Sequence, residues 1–149
     1  MKTTLIALAA LILATTAHAD QADDTAMLMQ CAAGSEDPQA CIGTIAYACL
    51  ETAAVPEEVE ACYTRETVAW RYPAEGLYGT ALAKLAAIAD DLPDLLERSQ
   101  EGWEDYAYAH CRMTGLSDPD IARQPITEAN CAMKMNANRI IELMALGQP

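Results

Sequence analysis

Residues 99 to 111 read SQEGWEDYAYAHC and form the densest group of chemically capable side chains in the chain. They hold an indole, two phenols, an imidazole, a thiol and three carboxylates, from Glu101, Trp103, Glu104, Asp105, Tyr106, Tyr108, His110 and Cys111. Paired carboxylates can act as acid and base, a histidine can move protons or bind a metal, and aromatic rings beside charges form binding surfaces. The third interpretation is a helix that packs its aromatic side into a core.

Motifs for catalysis are absent from the sequence. There is no G-x-S-x-G, no H-E-x-x-H and no glycine-rich phosphate loop. His110 is the only histidine after His18, so no second histidine can share a metal or a proton with it. We predict no catalytic residue, no metal site and no cofactor. A hydrolase that uses carboxylates such as Glu66 or Asp105 is the remaining enzymatic alternative.

The start of the chain has the pattern of a secretory signal peptide. Lys2 precedes an apolar run from Leu5 to Ala14, and Ala17-His18-Ala19 is a small-x-small cleavage pattern. The run is shorter than the roughly 20 residues that span a bilayer, so we predict no membrane insertion. Cleavage after Ala19 gives an exported protein, periplasmic or secreted, in which residues 20–149 form a single domain.

The mature chain is strongly acidic. All 22 Asp and Glu residues follow Ala19, whereas Lys2 leaves with the signal peptide, so 8 basic residues remain and the net charge is about −14. Such a surface repels nucleic acid and anionic membranes and attracts cationic proteins, peptides or metal ions. Acidity that only keeps an exported domain soluble is the alternative.

All six cysteines follow the cleavage point: Cys31, Cys41, Cys49, Cys62, Cys111 and Cys131. No C-x-x-C pair is present, which argues against zinc, redox and haem sites and favours three disulfides in an exported chain. Many pairings are possible. Sequential pairing is the simplest, because each bridge then joins two neighbouring helices: Cys31 with Cys41, Cys49 with Cys62, and Cys111 with Cys131.

Composition and chain breakers predict an all-α fold. Phenylalanine is absent, valine is scarce, alanine and leucine are abundant, and no run alternates apolar and polar residues as a strand does. Glycine and proline divide the chain into helical segments, with a loop from Thr114 to Ile126. We predict a small disulfide-stapled bundle of about five to six helices, over residues 22–33, 39–52, 57–71, 77–90, 93–113 and 128–146.

The fifth predicted helix carries the stretch described first. Its core-facing side is predicted to hold Leu95, Leu96, Ser99, Trp103, Tyr106, Ala107, His110 and Met113. Its solvent side then carries the residues predicted to bind a partner, Glu97, Glu101, Glu104 and Asp105. An acidic stripe of this kind suits a basic partner, and an ordinary solvated face is the alternative.

Several spacings resemble a known family. They are Q-x2-W-x2-Y-x4-C from Gln100, Trp103, Tyr106 and Cys111; C-x7-R-x3-L from Cys131, Arg139 and Leu143; and Cys62-x3-Glu66-x3-Trp70 followed by Tyr78. Together they resemble the LprI-type lysozyme-inhibitor N-terminal domain family over about residues 62–146. The chain departs from the family pattern at Arg71, Ala74 and Glu75. The resemblance implies a small helical exported domain in which the matched residues have mainly structural roles.

Lysozyme inhibition is the activity that this resemblance implies. With the acidic charge, it leads us to expect a non-catalytic protein that binds a cationic partner such as a lysozyme-type muramidase. The alternative is an accessory or structural protein of the bacterial envelope with a different partner. No feature of the sequence specifies an oligomeric state.

Overall fold

The computed structural model describes residues 21–148, so the predicted signal peptide and its cleavage site lie outside the described residues. The α-helices in this part of the chain are α1 (21–34), α2 (Thr44–Leu50), α3 (Pro56–Arg71), α4 (Ala74–Ala86), α5 (Leu92–Leu116) and α6 (Gln124–Leu146). Short 3-10 turns lie at Pro38–Cys41 and Ile121–Arg123. Residues 21–148 contain no strand, which confirms the all-α prediction.

The helix predicted over residues 39–52 is divided in the structure, and only its second half is α-helical. The chain forms a 3-10 turn at Pro38–Cys41, then turns at Gly43 and starts α2 at Thr44. Gly43 has φ of +98°, which residues with a side chain rarely adopt, and a Cβ there would overlap the ring of Tyr47. The glycine therefore separates the two elements.

Other helix boundaries also differ from prediction, including the end of α4, which lies at Ala86. α4 starts at Ala74, so Gly76 lies inside the helix and does not break it. α5 runs on to Leu116 and α6 starts at Gln124, which shortens the predicted loop to residues 117–123. Pro125 lies in the first turn of α6, where a residue without an N–H costs no hydrogen bond.

The core lies where α6 packs between α3 and α5. Trp70 of α3 is fully buried, and the inner face of α6 contributes Met133, Ile140 and Leu143. α1 is joined to α3 by polar contacts. The Arg65 guanidinium donates to both carboxylate oxygens of Asp24 at 2.6 and 2.8 Å, and the Thr25 hydroxyl donates to the Ala69 carbonyl at 3.0 Å.

The Glu66 carboxylate is fully buried and accepts hydrogen bonds at both oxygens. Oε1 accepts from the backbone N–H of Gly43 at 2.6 Å and from the Trp70 indole at 2.9 Å. Oε2 accepts from the N–H groups of Ile45 at 3.0 Å and Ala46 at 2.8 Å. These backbone groups start α2, where N–H groups lack partners within the helix and a negative charge is favoured. Glu66 is therefore inaccessible to a substrate, which contradicts its alternative use as a catalytic acid or base.

Three disulfides join neighbouring elements, in the pairs that sequential pairing predicts. Cys31–Cys41 joins α1 to the first 3-10 turn, Cys49–Cys62 joins α2 to α3, and Cys111–Cys131 joins α5 to α6. Their sequence separations are 10, 13 and 20 residues. Closing loops of this length stabilises a fold by about 3 kcal/mol each in the chain-entropy model.

The corner between α5 and α6 depends on one glycine and one carboxylate. A Cβ on Gly115 would lie 2.7 Å from Cβ of Glu128, so the two helices approach closely only because Gly115 lacks one. Asp118 accepts hydrogen bonds from the Thr127 hydroxyl at 2.7 Å and from the Asp120 N–H at 3.0 Å. The Thr127 contact first, and then the Asp120 contact, lower the pKa of Asp118 below its ordinary value.

We expect Glu66→Gln to lower the free energy of unfolding by about 3 kcal/mol, because an amide cannot accept at both ends and leaves buried N–H groups without partners. Urea unfolding followed by circular dichroism measures this change. The control is Glu57→Gln at an exposed position of the same helix, which should change stability by less than about 0.5 kcal/mol. Equal stability of Glu66→Gln and the parent would contradict the role given to this carboxylate.

Asp118 is expected to stabilise the protein only while it is ionised. Its folded pKa lies below the unfolded one, so the contribution is complete above the unfolded pKa and is lost as the pH falls below about 4. Asp118→Asn should therefore melt at a lower temperature near neutral pH and lose less stability on acidification. Thermal melts across this pH range test it, with the exposed Asp90→Asn as the control that keeps the parental slope.

Candidate functional site

A groove between α5 and α6 opens beside the corner that joins α3 to α4. Its volume is about 450 Å³. Five residues of the family pattern line it: Gln100, Trp103, Cys111, Arg139 and Leu143. Arg71 and Ala74, where the chain departs from that pattern, lie on its α3–α4 side.

Arg139 organises the floor of this groove. Its side chain is 8 % exposed, and its Nε donates to Oε1 of Gln100 at 2.9 Å. A second nitrogen donates to Glu142 at 3.1 Å, and the guanidinium carbon lies 5.9 Å from the ring centre of Trp103, within the range of a cation–π contact. Gln100 in turn donates to Glu104 at 2.9 Å. These contacts hold α6 against α5 and orient the indole.

A second hollow, of about 390 Å³, adjoins the groove between α4 and α5. We call it the acidic hollow, because its charged lining residues are Glu75, Glu97, Glu101 and Glu104, and no described residue in its lining is basic. Tyr78 also lines it. Burial is the largest cause that raises the pKa of the Tyr78 phenol, the negative charge of Glu97 comes next, and Arg139 opposes the shift. Glu101 and Glu104 also raise this pKa, so three of the four carboxylates of this hollow act on the Tyr78 phenol.

The structure divides the sequence-predicted residues into separate groups. Glu66 and Trp70 are fully buried within the bundle. Glu97, Glu101 and Glu104 meet at the acidic hollow, whereas Asp105 is exposed and lines neither cavity. Glu75 was not predicted as a site residue. Its only sequence signal is its place three residues before Tyr78, one helical turn away on the same face.

The predicted core-facing side of α5 is partly wrong. Tyr106 is 57 % exposed and stacks on His110 at a ring-centre distance of 5.3 Å, while Trp103 and His110 are only half-buried. Leu95, Ser99 and Met113 are exposed as well. The buried sector of α5 contains Leu96 and Cys111 and is rotated by roughly 70° from the predicted side. Packing against α6 sets this rotation.

The described part of the chain shows neither a metal site nor a membrane-spanning helix. Among residues 21–148 no group of His, Cys, Asp or Glu is arranged to hold a metal ion. In the same range, no helix is both long and apolar enough to cross a membrane. The six cysteines are all paired.

The titration of Tyr78 reports on the acidic hollow. Glu97→Gln removes a negative charge that disfavours the tyrosinate, so we expect the pKa of Tyr78 to fall. Carbon NMR of the labelled tyrosine rings across alkaline pH measures it. Glu51→Gln, an exposed carboxylate outside the hollow, should leave that pKa unchanged, and no shift in Glu97→Gln would contradict the geometry.

Comparison with known protein families identifies the family of this chain. The family model described as lysozyme inhibitor LprI matches residues 48–143, which include both cavities and the disulfides Cys49–Cys62 and Cys111–Cys131. No curated protein and no solved structure gives a match. Because the match covers more than half of the chain, this protein belongs to the LprI family of lysozyme inhibitors.

Proposed function

We propose that this protein is exported, binds lysozyme-type muramidases and inhibits them, and that the acidic hollow forms the contact. The observation that carries the proposal is the convergence of Glu75, Glu97, Glu101 and Glu104 on one concave surface in a chain of the LprI family. Three paired disulfides support export, because such bridges persist in oxidising compartments. A binding role requires no catalytic group of this chain.

The charge of the two proteins favours their encounter. Lysozymes are often strongly basic, whereas this chain carries a net charge of −13 before removal of the signal peptide. Opposite charges raise the association rate, and salt screens this effect over about 8 Å at physiological ionic strength. Inhibition should therefore be strongest at low ionic strength.

The composition of the hollow suits a long cationic side chain. Ala74 and Leu143 supply apolar surface, and the carboxylates surround it. A lysine or arginine can bury its aliphatic stem against such surface while its charged end meets the carboxylates. Gln100 already donates to Glu104, so Glu97 and Glu101 supply most of the unoccupied acceptor capacity on α5. The hollow would thus recognise a basic side chain on the surface of the muramidase.

The proposal is tested by replacing carboxylates of the acidic hollow with amides, which remove the negative charge and keep the size of the side chain. We expect the triple variant Glu97→Gln, Glu101→Gln, Glu104→Gln to require a concentration at least about tenfold higher for half-inhibition of a basic lysozyme at low salt. Turbidity loss of a bacterial cell-wall suspension measures lysozyme activity. The matched control is Glu36→Gln, Glu51→Gln, Glu57→Gln, which removes equal charge at exposed positions outside the hollow.

Two outcomes test separately whether the protein inhibits lysozyme and whether the acidic hollow is the contact. Full lysozyme activity in the presence of excess parent protein at low salt would reject inhibition. Equal weakening in both triple variants would reject the acidic hollow as the contact and leave only a general effect of charge.

A further inference from the structure

One face of α5, away from the acidic hollow, carries uncharged side chains that the bundle leaves exposed. We call this face the α5 seam; it consists of Leu95, Ser99, Gly102, Tyr106, Ala109, Met113 and Leu116. Its large members are 48 to 60 % exposed. Apolar residues scattered singly on a surface are ordinary, whereas a continuous row along one helix indicates a partner.

The spacing of the α5 seam is that of a coiled coil. Its residues follow each other at alternating steps of four and three, from Leu95 to Leu116. A repeat of this kind places one row of side chains along a helix and packs it against a second helix. The row is roughly 32 Å long at the rise of an α-helix. Ser99 and Gly102 are small and allow close approach near its centre, between the larger Leu95 and Tyr106.

Charges along one edge of the seam specify the partner. Asp91, Arg98, Asp105 and Arg112 recur every seven residues with alternating sign, and all are exposed. The opposite edge holds Leu96, Trp103 and His110, which are buried or half-buried in the bundle of the same chain. Only an antiparallel neighbour brings the charged edge of one helix against the charged edge of another.

We propose that the first half of the α5 seam, from Leu95 to Tyr106, binds the same segment of a second copy of this chain, antiparallel and about a two-fold axis. With Ser99 facing Gly102 of the partner subunit, Leu95 meets Tyr106 of the partner subunit and Arg98 meets Asp105 of the partner subunit. The symmetry repeats each pair, as in isologous dimers. A shift by one heptad in either direction brings like charges together, so the charge pattern disfavours the two neighbouring registers.

This arrangement is compatible with the contacts within each chain. Arg112 already donates to Glu128 at 2.9 Å, so the pair of Arg98 and Asp105 is the one that depends on the second copy. The acidic hollow lies on the other side of α5 and stays uncovered. The dimer does not depend on lysozyme as the partner.

A charge swap tests the proposal. Sedimentation equilibrium of the mature chain at about 0.15 M salt measures association, where overall repulsion between the acidic copies is screened. We expect Arg98→Glu to raise the dimer dissociation constant at least about tenfold, and Arg98→Glu with Asp105→Arg to restore it. The two positions are about 10 Å apart along one helix, so restoration requires a second chain. Lys134→Glu, exposed on α6, is the control of equal charge change and should associate like the parent.

A second variant separates association from folding. A Cβ at Gly102 meets no atom within 4 Å, so Gly102→Gln fits the single chain and should not lower its melting temperature. The same side chain would stand between the two helices and abolish the dimer. A parent chain that stays monomeric at all concentrations, a charge swap that restores nothing, or a Gly102→Gln variant that still associates would each overturn the proposal.

Discussion

A single buried carboxylate determines how the N-terminal half of this protein is assembled. The charge of Glu66 can be buried because three backbone N–H groups and one indole donate hydrogen bonds to it. Those N–H groups start α2, which has only seven residues and would be unstable alone. The same carboxylate fixes the rotamer of Trp70, the largest fully buried side chain. The position of α2, the turn at Gly43 and the packing around Trp70 are therefore coupled.

The C-terminal half is organised around a different polar group. Arg139 lies on the inner side of α6 and joins it to α5 through Gln100. A buried guanidinium needs several acceptors, and here an amide, a carboxylate and an aromatic face supply them. Arg139 also lines the groove between the two helices, together with Gln100 and Trp103. The family pattern thus contains both fully buried core residues, such as Trp70, and residues that line the groove.

The sequence predicts the helices better than their orientation. Proline and glycine positions identify most helix ends, because backbone geometry at those residues is restrictive.

The rotation of α5 about its own axis is not predicted correctly. Its uncharged residues occupy two adjacent faces, one packed on α6 and one exposed at the α5 seam. The sequence pattern averages over both faces and points between them, so it predicts that Tyr106 and Met113 face inward. The partners of Glu66 are backbone groups, which carry no signature in the sequence. Glu75 joins the acidic hollow only because α4 starts three residues earlier than predicted.

The three disulfides have a consequence for how the chain acquires its structure. Every bridge joins a cysteine to the next cysteine along the chain, so no bridge encloses another. A chain that emerges from its N-terminus can oxidise each pair as soon as the second thiol appears, without waiting for later segments. Correct pairing is then the pairing of nearest neighbours in order of appearance, and little reshuffling is required. The bridges close three separate loops, at residues 31–41, 49–62 and 111–131, and no bridge joins the first two loops to the third. Packing of α6 on α3 and on the first 3-10 turn brings them together.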